Sequence, residues 1–150
     1  MARILVQTED FDAGVELGRL GHEDAGGIAS FTGIVRAGEG ERRVVALVLE
    51  HYPAMTLRAL EAIVAQAQAR WPLTGCTVIH RVGRLRAGEN IVFVAAASAH
   101  RAAALQACAF LIDWLKTSAP FWKQEEFEDG ARAWVAARAA DDAAAAAWNG

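Results

Sequence analysis

Two stretches of this chain repeat their apolar residues every three or four positions, and a proline closes each one. In residues 54–71 the stripe is Leu57, Leu60, Ile63, Val64 and Ala67, and Pro72 follows. In the second it is Ala104, Cys108, Leu111 and Leu115, with Ala107, Phe110 and Trp114 beside them and Pro120 beyond Lys116. Such a stripe is the buried face of an amphipathic helix, and proline cannot continue the helical hydrogen bonding. Each helix must lay its stripe on something. The candidates are short β-type runs at 3–8, 26–36, 44–49, 77–82, 84–86, 91–97 and 121–127. Asp10 and Asp12 are placed to cap a short helix through Val15, Leu17 and Leu20 that Gly21 stops, and Ser98 to cap the second long helix. Residues 87–90, AGEN, read as a hairpin turn, 133–138 as one more strand or turn, and Asp141 and Asp142 open an alanine-rich terminal helix. Neither an internal repeat nor a linker divides the chain. One α+β domain over 1–150, with a mainly antiparallel or mixed sheet, is the expectation.

The chain has 150 residues, of which 54% are hydrophobic, enough for a core without staples. Because 34 of them are alanine, that core is modest. A formal net charge of −3 argues against a nucleic-acid binder, which needs clustered cations and usually a positive surplus. No basic start precedes a long apolar run, and no apolar run approaches the roughly 20 residues that span a bilayer. A cytoplasmic protein with no membrane contact is expected. Cys76 and Cys108 belong to no CxxC pair and no Cys/His cluster with metal-ligand spacing, so they read as reduced, buried thiols and no metal is expected.

Thirteen arginines stand against two lysines. Where a surface cation suffices this chain has used arginine, so Lys116 and Lys123, both within LKTSAPFWKQE (115–125), call for an explanation. A lysine amine loses its proton when desolvated or set beside another cation, and then serves as base or nucleophile near neutral pH; an arginine does not. Two readings are open. The pair converges on one pocket, walled by Trp114, Phe121 and Trp122, or Lys116 complements the carbonyl end of its helix while Lys123 is a solvated cation near Glu125 and Glu126. His100 and Arg101 fall in the first turn of the second long helix, where the dipole opposes positive charge unless an anion binds. The alternative has Arg101 bent back to a carboxylate and His100 solvated. Arg36, at a strand end before the loop AGEGER, is a third anion contact or a solvated edge arginine. His51 and Tyr52 are pocket or turn residues, and His22 and His80 are read as structural.

Taken together, FTGIVR (31–36), LEHYPAM (49–55), RVGRLRAGE (81–89), SAHR (98–101), LKTSAPFWKQE and WVAAR (134–138) resemble one family: the large, catalytic subunit of molybdopterin synthase, in molybdenum cofactor biosynthesis. Ala54 replaces a glycine of the LEHYP motif. The resemblance implies an α/β hammerhead with an additional antiparallel β subdomain. It implies a sulfurtransferase that converts cyclic pyranopterin monophosphate to the dithiolene molybdopterin, with no metal and no cofactor in that step. Sulfur would come from the C-terminal Gly-Gly thiocarboxylate of a small ubiquitin-like carrier subunit, docked at each end of a central homodimer to give a heterotetramer. By motif, Lys116 and Lys123 are the active-site lysines, with Lys116 nearer the thiocarboxylate carbon, and Phe31 and Arg36 line the same pocket. His100, Arg101 and Arg138 would bind the pterin phosphate from the neighbouring protomer.

Two other classes compete on the residues alone. Paired lysines in an apolar pocket suit the imine chemistry of a Schiff-base lyase. A non-catalytic dimeric module that binds a phosphorylated metabolite would need Arg36, His100 and Arg101 but not the lysines.

Overall fold

A computed structural model describes residues 2–38, 42–135 and 139–149. The chain builds two four-stranded sheets. The first has the order β1 (Ala2–Gln7), β4 (Leu73–Arg81), β6 (Asn90–Ser98), β2 (Gly27–Ile34), with β1 parallel to β4 and the other pairs antiparallel. The second, wholly antiparallel, has the order β5 (Gly83–Arg86), β3 (Val44–Glu50), β7 (Trp122–Phe127), β8 (Arg132–Trp134). This is the expected mixed architecture, with the second sheet as the additional antiparallel subdomain.

Helices cover both faces of the first sheet. The residues Val92, Val94 and Ala96 of β6 meet the stripes of α2 (Pro53–Arg70) and α3 (Arg101–Thr117), among them Leu60, Val64, Ala107 and Leu111. Phe93, Ala95 and Ala97 face the other way, toward Leu17 and Leu20 of α1 (Ala13–Leu20). Alternate residues thus serve two cores, which is why β6 is apolar without interruption. Leu49, Val82 and Leu85 continue the first core beneath the second sheet. The capping carboxylate of α1 is Asp12, whose Oδ1 accepts from Val15 N at 3.1 Å, while Asp10 binds Phe11 N and the Asn90 side chain instead.

Two expectations of local structure fail. Residues 87–90 turn the chain, with Glu89 N donating to Arg86 O and Gly88 at φ +93°, but they join strands of different sheets. The turn is not a hairpin, because β5 pairs with β3 and β6 lies between β4 and β2. Nor does Ser98 cap α3. It ends β6 in strand pairing, its hydroxyl donates to Pro72 O at 2.8 Å, and the N-cap is His100, which makes no side-chain capping bond.

The terminal helix α4 (Ala139–Ala146) packs on α3, and the single 3-10 turn after it is fastened by Trp148. Its indole Nε1 donates to Asp113 at 2.7 Å, its carbonyl accepts from Arg70 at 2.6 Å, and its ring meets Trp71 and Phe110 edge to face. No helix among the described residues is long and apolar enough to cross a membrane.

Candidate active site

The end of α3 and the start of β7 bring the two lysines to one place. Lys116 is exposed in the last turn of α3, where its charge suits the carbonyl end of the helix. Three residues beyond Pro120, Lys123 pairs with Leu49 of β3. Cross-strand partners share a face, and Leu49 belongs to the core, so the Lys123 stem is drawn inward and the residue is half-buried. Burial first, and then the Lys116 ammonium, lower the Lys123 proton affinity below the usual lysine range; the carboxylate of Asp141, brought in by α4, acts the other way. The reading of Lys123 as a solvated cation is thereby set aside. Glu126 turns to the opposite face and pairs with Arg84 and Arg132.

An aromatic group that includes two histidines lies close to the lysines. Phe121 stacks on His80 with ring centroids 4.1 Å apart and tilts against His51 at 5.9 Å. His51 binds a side chain, the Thr56 hydroxyl, at 3.0 Å, and Tyr52 meets Trp122 edge to face outside the pocket. His80 is structural as expected, buried and stacked within this group. Burial, followed by the charges of Lys123, Lys116 and His51, holds its imidazole neutral, with a pKa pushed down to about 3 against the opposing bond to the Arg81 carbonyl. In the sequence His80 was one more position in an apolar strand beside the RVGRLRAGE motif.

The remaining predicted residues divide by their end of α3. Only Ala99 and His100 separate β6 from α3, and α3 packs on β6 and β2, so the helix returns along the sheet and its last turn lies toward the start of β6 and the end of β2. Arg36 is at that end, since Val35 N donates to Glu89 O and Gly88 N to Val35 O in the turn before β6. Phe31 pairs with Val94 and so faces the α3 side from the edge strand, where it is 38% exposed. His100 and Arg101 are exposed at the opposite end of the helix. At 1.5 Å per residue, Arg101 is about 22 Å along the axis from Lys116. One chain therefore does not join the lysines to the helix-start cations. Arg138 lies outside the described residues.

Cys76 and Cys108 are free and buried, and burial pushes their thiols up to about 12 and about 11. Neither is a nucleophile near neutral pH.

A family model described as MoaE protein matches residues 6–118. The chain belongs to the MoaE family. A molybdopterin synthase catalytic subunit of Pseudomonas aeruginosa is 50% identical over 148 residues, which cover 97% of this chain and 98% of that relative. The solved structure of a molybdopterin biosynthesis MoaE protein from Burkholderia ambifaria superposes with a TM-score of 0.83 at 47% identity, covering 100% of this chain and 99% of the other. A chain in a Helicobacter pylori complex of subunits 1 and 2 of molybdopterin-converting factor shares the fold, with a TM-score of 0.70 at 21% identity and 91% of each chain covered. This MoaE chain is an enzyme subunit of molybdopterin biosynthesis, and the α/β hammerhead expected from its motifs is the fold it has.

Proposed function

We propose that this MoaE chain transfers sulfur from the C-terminal thiocarboxylate of a small ubiquitin-like carrier to cyclic pyranopterin monophosphate, forming the dithiolene of molybdopterin. The observation that carries this reading is the half-buried Lys123 beside Lys116 at the closed end of α3. A thiocarboxylate is an anion, and the Lys116 ammonium at the end of α3 attracts it to the side of the partly desolvated Lys123 amine. In each transfer a carbon–sulfur bond forms as a carbon–oxygen bond of the pterin side chain breaks. Water then adds to the acyl carbon of the carrier, the acyl carbon–sulfur bond breaks, and the carrier leaves as a carboxylate while the sulfur stays on the pterin as thiolate. Lys116 stabilises the oxyanion of the tetrahedral species, and Lys123, with its lowered proton affinity, takes the proton from water. The buried, protonated Cys76 and Cys108 favour an external sulfur source over one in this chain.

Two sulfurs enter each dithiolene, so two carriers are consumed in turn. Phe31 and Arg36 line the lysine pocket, whereas His100, Arg101 and Arg138 hold the pterin phosphate in the site of a second copy. The separation of about 22 Å along α3 supports that division, because a single chain leaves His100 and Arg101 at the end opposite the lysines. The working unit is then a homodimer with a carrier at each end, a heterotetramer in the cytoplasm. The test is dithiolene formation from purified chain, cyclic pyranopterin monophosphate and thiocarboxylated carrier. Product is expected with the wild type and far slower product formation with a folded Lys116→Ala variant; equal rates from both overturn the reading.

A further inference from the structure

We propose that His80 is a positioning residue for Lys123: pinned to the Arg81 carbonyl and stacked on Phe121, its ring fixes the point from which β7 starts and so the place of Lys123 beside Lys116. The inference rests on the lysine reading above and adds to it a residue that the transfer chemistry itself does not use.

His80 is 3% exposed and sits one residue before the end of β4, where the chain leaves the first sheet for the second. Its Nδ1–H donates to Arg81 O at 2.8 Å. That carbonyl belongs to a fixed corner, because the Arg81 guanidinium donates at 2.9 Å to Thr8 O and at 2.9 Å to Asn90 O. The bond sets the plane of the ring and leaves the lone pair on Nε2. Phe121 lies on this plane, tilted by 22° at 4.1 Å, and is touched from elsewhere by His51, itself held by the Thr56 hydroxyl. Phe121 closes the turn at Pro120, its N–H donating to Ala119 O at 2.8 Å, and directly precedes β7, whose second residue is Lys123. Whatever fixes Phe121 therefore fixes the approach of Lys123.

A phenylalanine at position 80 would supply the face without the bond that orients it, and a cation there would add a third positive charge to the lysine pair. A histidine kept neutral by burial and by its neighbours supplies orientation and face together. The charged and titratable groups acting on Lys123 and His80 are Lys116, Asp141 and His51, with the backbone carbonyl of Arg81 on the imidazole.

A chain with two lysines makes the test direct. With isotope-labelled lysine, the side-chain amine resonances of the full chain reduce to two, assigned by Lys116→Ala. Lys123 is expected to titrate below an ordinary lysine in the wild type and closer to the ordinary value in His80→Asn, which keeps an N–H donor but loses the ring face while Lys116 stays in place. In that variant dithiolene formation should fall roughly 10- to 100-fold at unchanged KM for the precursor, the cost of a displaced reacting group. His80→Phe, which keeps the face without the bond, should fall between the two in both titration and rate. Phe121→Leu removes the other half of the stack and should reproduce His80→Asn, standing in for it if that variant does not fold. Unchanged Lys123 titration in the folded variants that lack the stack overturns the proposal, as does a His80→Phe that behaves like His80→Asn. Failure of the lysine reading is separately visible: a Lys123→Ala variant with wild-type dithiolene formation removes the chemistry, while the titrations still decide what His80 does.

Discussion

At its start α3 presents His100 and Arg101 to water, whereas at its end Lys116 is joined by a half-buried Lys123 lowered in proton affinity. Both ends collect positive charge, and only one of them desolvates it. Exposed cations act at a distance and are weakened by salt, so they suit the capture of a diffusing anion. A withdrawn amine loses part of its hydration and holds its proton less firmly, which suits work on a bond. Under the proposed function, the contrast would separate binding from chemistry along a single helix.

The sharpest way to break that separation is to delete the lysines. Lys123→Ala or Lys116→Ala should lower the rate of dithiolene formation by roughly 100- to 1,000-fold while leaving precursor affinity unchanged. Single-turnover kinetics beside a binding titration would show it, and a variant that lost affinity instead would exchange the roles of the two ends. Arg101→Ala should do the reverse, weakening precursor binding about tenfold, as for one charge-assisted hydrogen bond, with the single-turnover rate at saturation kept. A hybrid dimer of one Lys123→Ala copy and one Arg101→Ala copy sharpens the point. If each site draws on both copies, one site of that hybrid is intact and half the activity returns.

A smaller effect belongs to the desolvated end alone. The folded-state pKa of His80 is depressed to about 3 from its ordinary 6.5, so the unfolded chain binds the extra proton first as pH falls. Stability is full above 6.5 and declines as pH drops toward 3. Between 6.5 and 4.5, above the carboxylate range, the urea midpoint of the wild type should fall while that of His80→Phe stays flatter; parallel curves would mean that His80 titrates as an ordinary surface histidine. The smallest expected change is Trp148→Phe, which loses the bond to Asp113 while keeping an aromatic ring in the cleft. It should cost about 1 kcal/mol in denaturant unfolding, with no change at the His100 end.

Much of this was legible in the sequence where a local signal decided the outcome. Both long helices follow from their apolar period and closing prolines, and the lysines are conspicuous because arginine fills nearly every other cationic position. What was misread depended on contacts between distant segments. The turn at 87–90 has the chemistry of a reversal, but whether β5 pairs with β6 or β3 is settled by the match of Leu85 to Leu47 across the second sheet. Ser98 has the side chain of a cap, yet the Pro72 carbonyl takes its hydroxyl. His80, by contrast, is structural as its sequence setting implied, buried and bonded to the Arg81 carbonyl, but its stack on Phe121 was not legible because that ring comes from a distant segment.

α3 also acts as a spacer. Seventeen residues of unbroken helix set both the distance and the angular phase between His100 and Lys116. Inserting one residue would advance one end by about 1.5 Å and rotate it by about 100° relative to the other, with every functional side chain still present. If two copies share their sites through opposite ends of this helix, its length is under the same constraint as the residues at its tips. Substitutions along its exposed face would be tolerated where a single deletion would put the two halves of each site out of register.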